Sequence, residues 1–467
     1  YDRLADKEGI HTRLRDYFAA VPEPERVESL DDLAPTIELY HHTVRAGRYD
    51  EAYQLFYARL NTPLYYRFGA YATFVELQSA LFADGDFEGP LLEDEAKIAR
   101  LLNDSANCYS LSGQPVRAVP LFEGYIAISR KRGDKTNEAI GLGNLASMAQ
   151  IHIGALAAAD GNLRRSIALC QKIGDEFQEA VGHQELGRLL AYTGAFEEAG
   201  RELETALGFE VWRRNEQGVG VNWAYRALRA LLMGRVEDLS PPPPPAAAPP
   251  PLSHVGEGRG PGGGGRGTSP LPAARRTREY YEKNKEETGV PVERDLICAE
   301  WLLGAAHRAR GELAQAETRL AEALRRCRRI NLVELEPDIL LELARLRYAQ
   351  MVSGSRFQVS GSGEEQPETS KHETMKRKMD EALSLAKEAL DIADRCGYRL
   401  VQADVHLVLA QLALSEVEGL AFEAGDLPEA HRHAETARER AWCDGPPHRY
   451  EAAFLEAERL LEQIEAA

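Results

Sequence analysis

Several places in this 467-residue sequence hold residue types that could do chemistry. The string Gly262-Gly263-Gly264-Gly265-Arg266-Gly267-Thr268-Ser269 has the glycine density of a phosphate-binding loop. It lacks the lysine before Thr268 that would reach the phosphates, and no buried strand and helix flank it to aim the backbone amides. A flexible linker is the better reading. His41-His42 and His431-x-His433 could offer imidazoles to a metal. Adjacent residues on a helix face apart, and neither pair has a second His four residues on with a Glu between. Cys170 and His183 could form a thiolate–imidazole dyad, but no sequence feature brings them together. There is no nucleophile elbow and no recognisable glycosidase carboxylate pair. We therefore expect no catalytic residues, no metal ligands and no cofactor. On this reading the chain itself is not an enzyme.

The elements that would position any site are helical. The interior is dominated by Ala, Leu, Glu and Arg at helical spacing, and β-branched runs are scarce. Hydrophobic residues make up 44%, which is enough for a large core. The formal net charge of -18 disfavours nucleic acid and anionic membrane surfaces, since both repel it. No apolar run reaches the length of a membrane span and no leader is visible, so no membrane contact is expected. The six cysteines are scattered with no CxxC pair, as in a reducing cytoplasm.

A turn glycine followed by a small residue recurs: Gly47 to Ala52, Gly113 to Ala118, Gly154 to Ala159, Gly194 to Ala199, Gly311 to Ala316 and Gly425 to Ala430. Each Gly ends one helix, and each Ala lets the next helix pack closely. Gly133-Asp134 and Gly174-Asp175 mark a second phase of the repeat, each before a helix carrying Glu-Ala. Leu186, Gly187, Gly194, Phe196, Ala199, Leu203 and Ala206 have the spacing of the tetratricopeptide (TPR) repeat, which the segment 301–323 repeats. The chain thus resembles an all-α, TPR-type α-solenoid, a right-handed superhelix of roughly eight hairpins of about 40 residues.

In that register the concave face would carry Asn103 and Asn107, then Gln184, Arg188 and Tyr192, then Trp223 and Arg226, then Trp301 and Arg308. Amides, arginines and aromatics are the types that anchor peptide and protein ligands. These nine are the candidate ligand-binding residues. Replacing both Arg188 and Arg226 with Glu should then weaken a ligand response without unfolding the chain.

Longer strings carry a narrower resemblance. Glu38-Leu39-Tyr40-His41-His42, Leu111-Ser112-Gly113-Gln114-Pro115, Gly182-His183-Gln184-Glu185-Leu186-Gly187, Trp223-Ala224-Tyr225-Arg226-Ala227-Leu228 and Cys443-Asp444-Gly445-Pro446-Pro447 resemble the C-terminal TPR region of bacterial STAND NTPases, the NLR-like signalling proteins. The resemblance implies a cytoplasmic sensor in signalling or anti-phage defence. Its TPR array would hold an upstream NACHT or NB-ARC NTPase module closed until a protein or peptide ligand binds. The NTPase and effector activities would lie before Tyr1, and a chain beginning with Tyr1 is expected to be a piece of a longer protein. The rival reading is a constitutive TPR scaffold that joins two proteins.

The expected organisation follows. Residues 1–32 read as the tail of a preceding winged-helix-like domain and a connector. Residues 33–236 form an N-terminal TPR array. Residues 237–275 form a disordered Pro/Gly-rich insertion between the two helices of one hairpin. Residues 276–445 form a second array carrying a low-complexity insertion at 353–372, and residues 446–467 form a capping helix.

Overall fold

A computed structural model describes residues 6–24, 26–83, 85–237, 270–288, 292–356, 368–415 and 427–466. Among them every regular element is a helix, and one isolated bridge joins Phe82 to Pro90. Helix α1 (Lys7–Ala19) packs on α2 (Ala34–Arg45), with His11 and Phe18 against the His42 ring. Next come α3 (Tyr49–Leu55) and α4 (Tyr71–Ser79). Between them Pro63–Arg67 forms a widened turn, closed by the Phe68 N–H on the Pro63 carbonyl. Then α5 (Glu95–Leu111) pairs with α6 (Pro115–Lys131), α7 (Lys135–Asn144) with α8 (Leu156–Ile173), and α9 (Glu176–Tyr192) with α10 (Phe196–Gly208). After the short α11 (Glu210–Arg213), α12 (Glu216–Glu237) pairs with α13 (Pro270–Thr288) and α14 (Glu293–Ala309) with α15 (Leu313–Arg329). Finally α16 (Glu336–Arg356) pairs with α17 (Glu368–Cys396) and α18 (Arg399–Leu414) with α19 (Leu427–Trp442), and α20 (Glu451–Ala466) covers that last pair. This stack of adjacent helical hairpins is an α-solenoid.

Local chemistry explains the elements. In α15 the residues Ala316, Leu320, Ala323 and Cys327 are buried, a stripe at helical spacing whose opposite face is arginine-rich. The paired markers after Gly133 and Gly174 are N-caps. The Asp134 carboxylate accepts the Asn137 N–H at 3.0 Å and that of Asp175 accepts the Gln178 N–H at 3.1 Å.

The helices flanking the insertions are longer than the sequence suggests. Helix α13 starts at Pro270, and Leu271, Ala273 and Ala274 are buried with α12 and α14. Residues 270–275 are therefore helix rather than linker. Helix α16 runs to Arg356 and α17 begins at Glu368. Residues 238–269, which include Gly262–Ser269, lie outside the described residues, as do 357–367 and the turn at Gly425. No described helix is long and apolar enough to cross a membrane.

The solenoid winds onto itself. One core cluster runs from Leu33 to Ala149 and continues without a break into Ile297–Leu346. A second joins residues between Ala146 and Leu232 to those between Leu400 and Ile464. The hairpins from α2 to α15 make the first turn, and α16 to α20 stack on it. Backbone and side-chain hydrogen bonds stitch the two: Glu334 N–H to Leu111 O at 3.3 Å, Arg399 N–H to His152 O at 2.8 Å, and Ala157 N–H to the Asp444 carboxylate at 2.8 Å. Turn glycines permit this approach. At Gly194, with φ of +77°, an added Cβ would lie 2.6 Å from the Glu451 side chain. At Gly154 it would strike the stem of Arg399.

Candidate functional site

Winding closes the expected concave face into an axial cavity. Helix α9 contributes Arg188 and Tyr192, one turn apart. Helix α12 contributes Gln217, Val221, Ala224, Tyr225 and Leu228, and α14 contributes Arg294, Asp295, Cys298 and Trp301. Their spacings of three and four keep each set on one helix face. The second turn closes the far side with Glu334, Asp338, Tyr398, Asp404 and Tyr450. The space free of protein atoms is about 1110 Å³ including the mouth, and little of it is wide enough for a water molecule. The cavity is therefore narrow and suits a slender group rather than a folded partner.

Its charges are partly paired. Arg294 donates from Nε and Nη2 to the two carboxylate oxygens of Glu334, both at 2.8 Å. Burial works to push Glu334 up, but Arg294 overcomes it and holds the carboxyl at about 2. Arg188 donates from Nη2 to the Ser147 carbonyl at 2.7 Å and lies 3.0 Å from a Glu185 oxygen, while its Nε has no acceptor. The Tyr225 hydroxyl donates to Glu185 at 2.8 Å, and the Tyr450 hydroxyl donates to Asp404 at 3.0 Å. His152 sits 3.6 Å from Glu334, and burial pushes its imidazole down to about 4, so it is neutral near pH 7. Asp338 differs from all of these. It lines the cavity, keeps some accessible surface, and makes no hydrogen bond or ion pair with any described residue. Burial and then the neighbouring Asp404 carboxylate push it up to about 8, despite its place in the first turn of α16.

Of the nine residues singled out by the repeat register, Arg188, Tyr192 and Trp301 meet in this cavity. Gln184 is buried a turn before Arg188, its Oε1 without a partner, and is not part of the wall. Asn103 and Asn107 lie on α5 away from the cavity, Asn103 accepting from Asn144 at 3.0 Å. Trp223 has the guanidinium groups of Arg226 and Arg276 over its ring, 5.2 and 4.4 Å from its centre, and lies outside the cavity wall. Arg308 is ion-paired to Glu342 at 2.8 Å. The pairing of Arg188 has a consequence for the double replacement. Arg188→Glu breaks a buried pair, so that variant reports on folding before it reports on binding.

The other candidate groups resolve into ordinary packing. His183 pairs with Glu202 and Glu179, and its partner in the conceivable dyad, Cys170, is buried in another core stripe. His42 meets His11, and His433 meets His406 at 2.8 Å between Nδ1 atoms. No group of three metal-ligating side chains occurs among the described residues. The register missed Arg294, Asp295, Glu334, Asp338 and Asp404. Arg294 and Cys298 could have been found, since they share the α14 face of Trp301. Glu334, Asp338 and Asp404 carry no such signal, because only the second turn brings them in. No protein-family model matches the chain, and no curated protein matches it.

Proposed function

We propose that this chain is the ligand-sensing, autoinhibitory TPR region of a bacterial STAND NTPase in signalling or anti-phage defence. A protein or peptide trigger would engage it by inserting a slender side chain or chain end into the cavity, with an upstream NTPase module of the same polypeptide as the second partner. The observation that carries the reading is the axial cavity whose walls come from both turns of the solenoid. A group entering it touches α9, α12 and α14 on one side and the Glu334–Asp338 strip on the other, so occupancy changes the balance of turn-to-turn contacts. A ligand shifts a two-state equilibrium only by its differential affinity for the states. Moving it from 1:99 to 99:1 takes about 5.5 kcal/mol. The test is nucleotide exchange and oligomerisation of the full-length polypeptide with and without candidate triggers. Trigger-dependent assembly supports the sensor. A coding sequence without a P-loop upstream of Tyr1 overturns it in favour of the constitutive scaffold.

A further inference from the structure

We propose that the axial cavity takes an alkylammonium group, held at the carboxylates of Asp338 and Asp404 beside the ring of Tyr192. The inference rests on the reading of this cavity as the ligand site and names the chemistry that site selects.

The charge balance points to a cation. Four carboxylates, Asp295, Glu334, Asp338 and Asp404, line the cavity against two guanidinium groups, Arg188 and Arg294. Arg294 is spent on Glu334, and Arg188 is engaged with Glu185 behind the wall. Arg345, from outside the wall, is shared between Asp404 and Glu342, which leaves Asp338 as a wall carboxyl with no cation in contact among the described residues. Asp404 has the Tyr450 hydroxyl at 3.0 Å and Arg345 at 3.7 Å. Asp338 has no hydrogen-bond or ion-pair partner among the described residues and keeps some accessible surface in the cavity wall, so its charged form is left for an incoming cation to stabilise.

The aromatic surroundings select the kind of cation. Tyr192 packs edge-on to Tyr450 with ring centres 5.5 Å apart, and its hydroxyl lies within the field of both Asp338 and Asp404. Tyr398 and Tyr450 stand in the wall behind it, almost wholly buried. Ring faces attract an organic cation, and their apolar surface takes its methylenes. A calcium ion needs six to eight oxygens, more than two converging carboxylates supply. The narrow bore favours an unbranched chain. Two sources share this chemistry, a free diamine or polyamine and the lysine side chain of a peptide.

The test is calorimetry on the full chain with 1,5-diaminopentane, Nα-acetyl-lysine amide, 1,5-pentanediol as the uncharged control, and calcium. Both amines should bind and the diol should not. Asp338→Asn should weaken the amines about a hundredfold, the scale of breaking a buried charge pair. Its unfolding midpoint verifies that it folds, and Asp404→Asn gives an independent second reading. Affinity should rise between pH 6 and pH 8 as Asp338 loses its proton. The other charged groups facing it are Asp404, Arg345, Glu334 and Glu342. Tighter binding of the diamine assigns the free amine as the source, and tighter binding of the lysine derivative assigns a peptide. Absence of amine binding, diol binding as strong as the diamine, binding of calcium alone, or full affinity in Asp338→Asn overturns the proposal. The two readings fail separately. Amine binding without any effect on assembly of the full-length protein refutes the sensor and leaves the amine site. Trigger-dependent assembly without amine binding does the reverse.

Discussion

The backbone N–H of Arg399 donates to the carbonyl oxygen of His152 at 2.8 Å, joining the start of α18 to the turn before α8. The Arg399 guanidinium reaches on to the carbonyls of Arg440 and Glu439, at 3.0 and 3.1 Å. One residue thus ties a hairpin of the first turn to the last hairpin of the second. The axial cavity exists because of such ties.

The tie depends on Gly154. With φ of +78° and the Arg399 stem against it, this position cannot accept a side chain without moving the second turn. Gly154→Leu should cost about 2–4 kcal/mol, combining the left-handed penalty with overpacking. Gly174→Ala is the control, since Gly174 has φ of +72° and open space around it, and it should cost only about 1 kcal/mol. Urea unfolding of the two variants measures the difference. Equal losses would mean that the turns do not clasp at Gly154.

The Arg294–Glu334 pair should show in acid. Glu334 is held at about 2 in the folded chain, below its ordinary 4.5, and Glu342 is held at about 2 against burial by Arg308 and Arg345. A lowered carboxyl stabilises fully above its unfolded value and loses that contribution as pH falls through the folded one. Stability should therefore drop between about pH 4.5 and pH 2. Arg294→Met should cost about 3–5 kcal/mol at pH 7 by leaving Glu334 buried without a partner. Adding Glu334→Leu should recover most of that loss. Melting curves across pH check both statements.

Asp338 should show the opposite sign. Its folded value of about 8 lies above the ordinary 3.8. The folded state therefore binds the proton more tightly, and that stabilisation is complete below about pH 4 and fades as pH rises through 8. Asp338→Asn should flatten this slope and raise stability at pH 8 by roughly 1–3 kcal/mol. A variant no more stable than the parent at pH 8 would show that Asp338 is not the strained group of the cavity.

The start of α13 sets how much of the Pro/Gly-rich stretch can be removed. Deleting residues 241–268 should change stability by less than about 1 kcal/mol, because the composition offers little apolar area and loop closure varies slowly with length. Extending the deletion to residue 272 removes Leu271, which is 5% exposed, and should cost about 2 kcal/mol more. Thermal unfolding of the two deletions distinguishes them.

The helices and their pairing were legible in the sequence because their causes are local. Turn glycines such as Gly194, caps such as Asp175, and stripes such as Ala316–Leu320–Ala323 act within one hairpin. Arg188, Tyr192 and Trp301 could be placed on inward faces by the same short-range periodicity. Their partners could not. Asp338, Asp404, Tyr398 and Tyr450 belong to hairpins a full superhelical turn away, and no spacing within a repeat encodes how far the stack rotates per hairpin. That rotation sums many small packing angles, so it emerges only from the assembled helices. It also decided that the inward face is a narrow cavity, and that Asp338 stands at its wall beside Asp404.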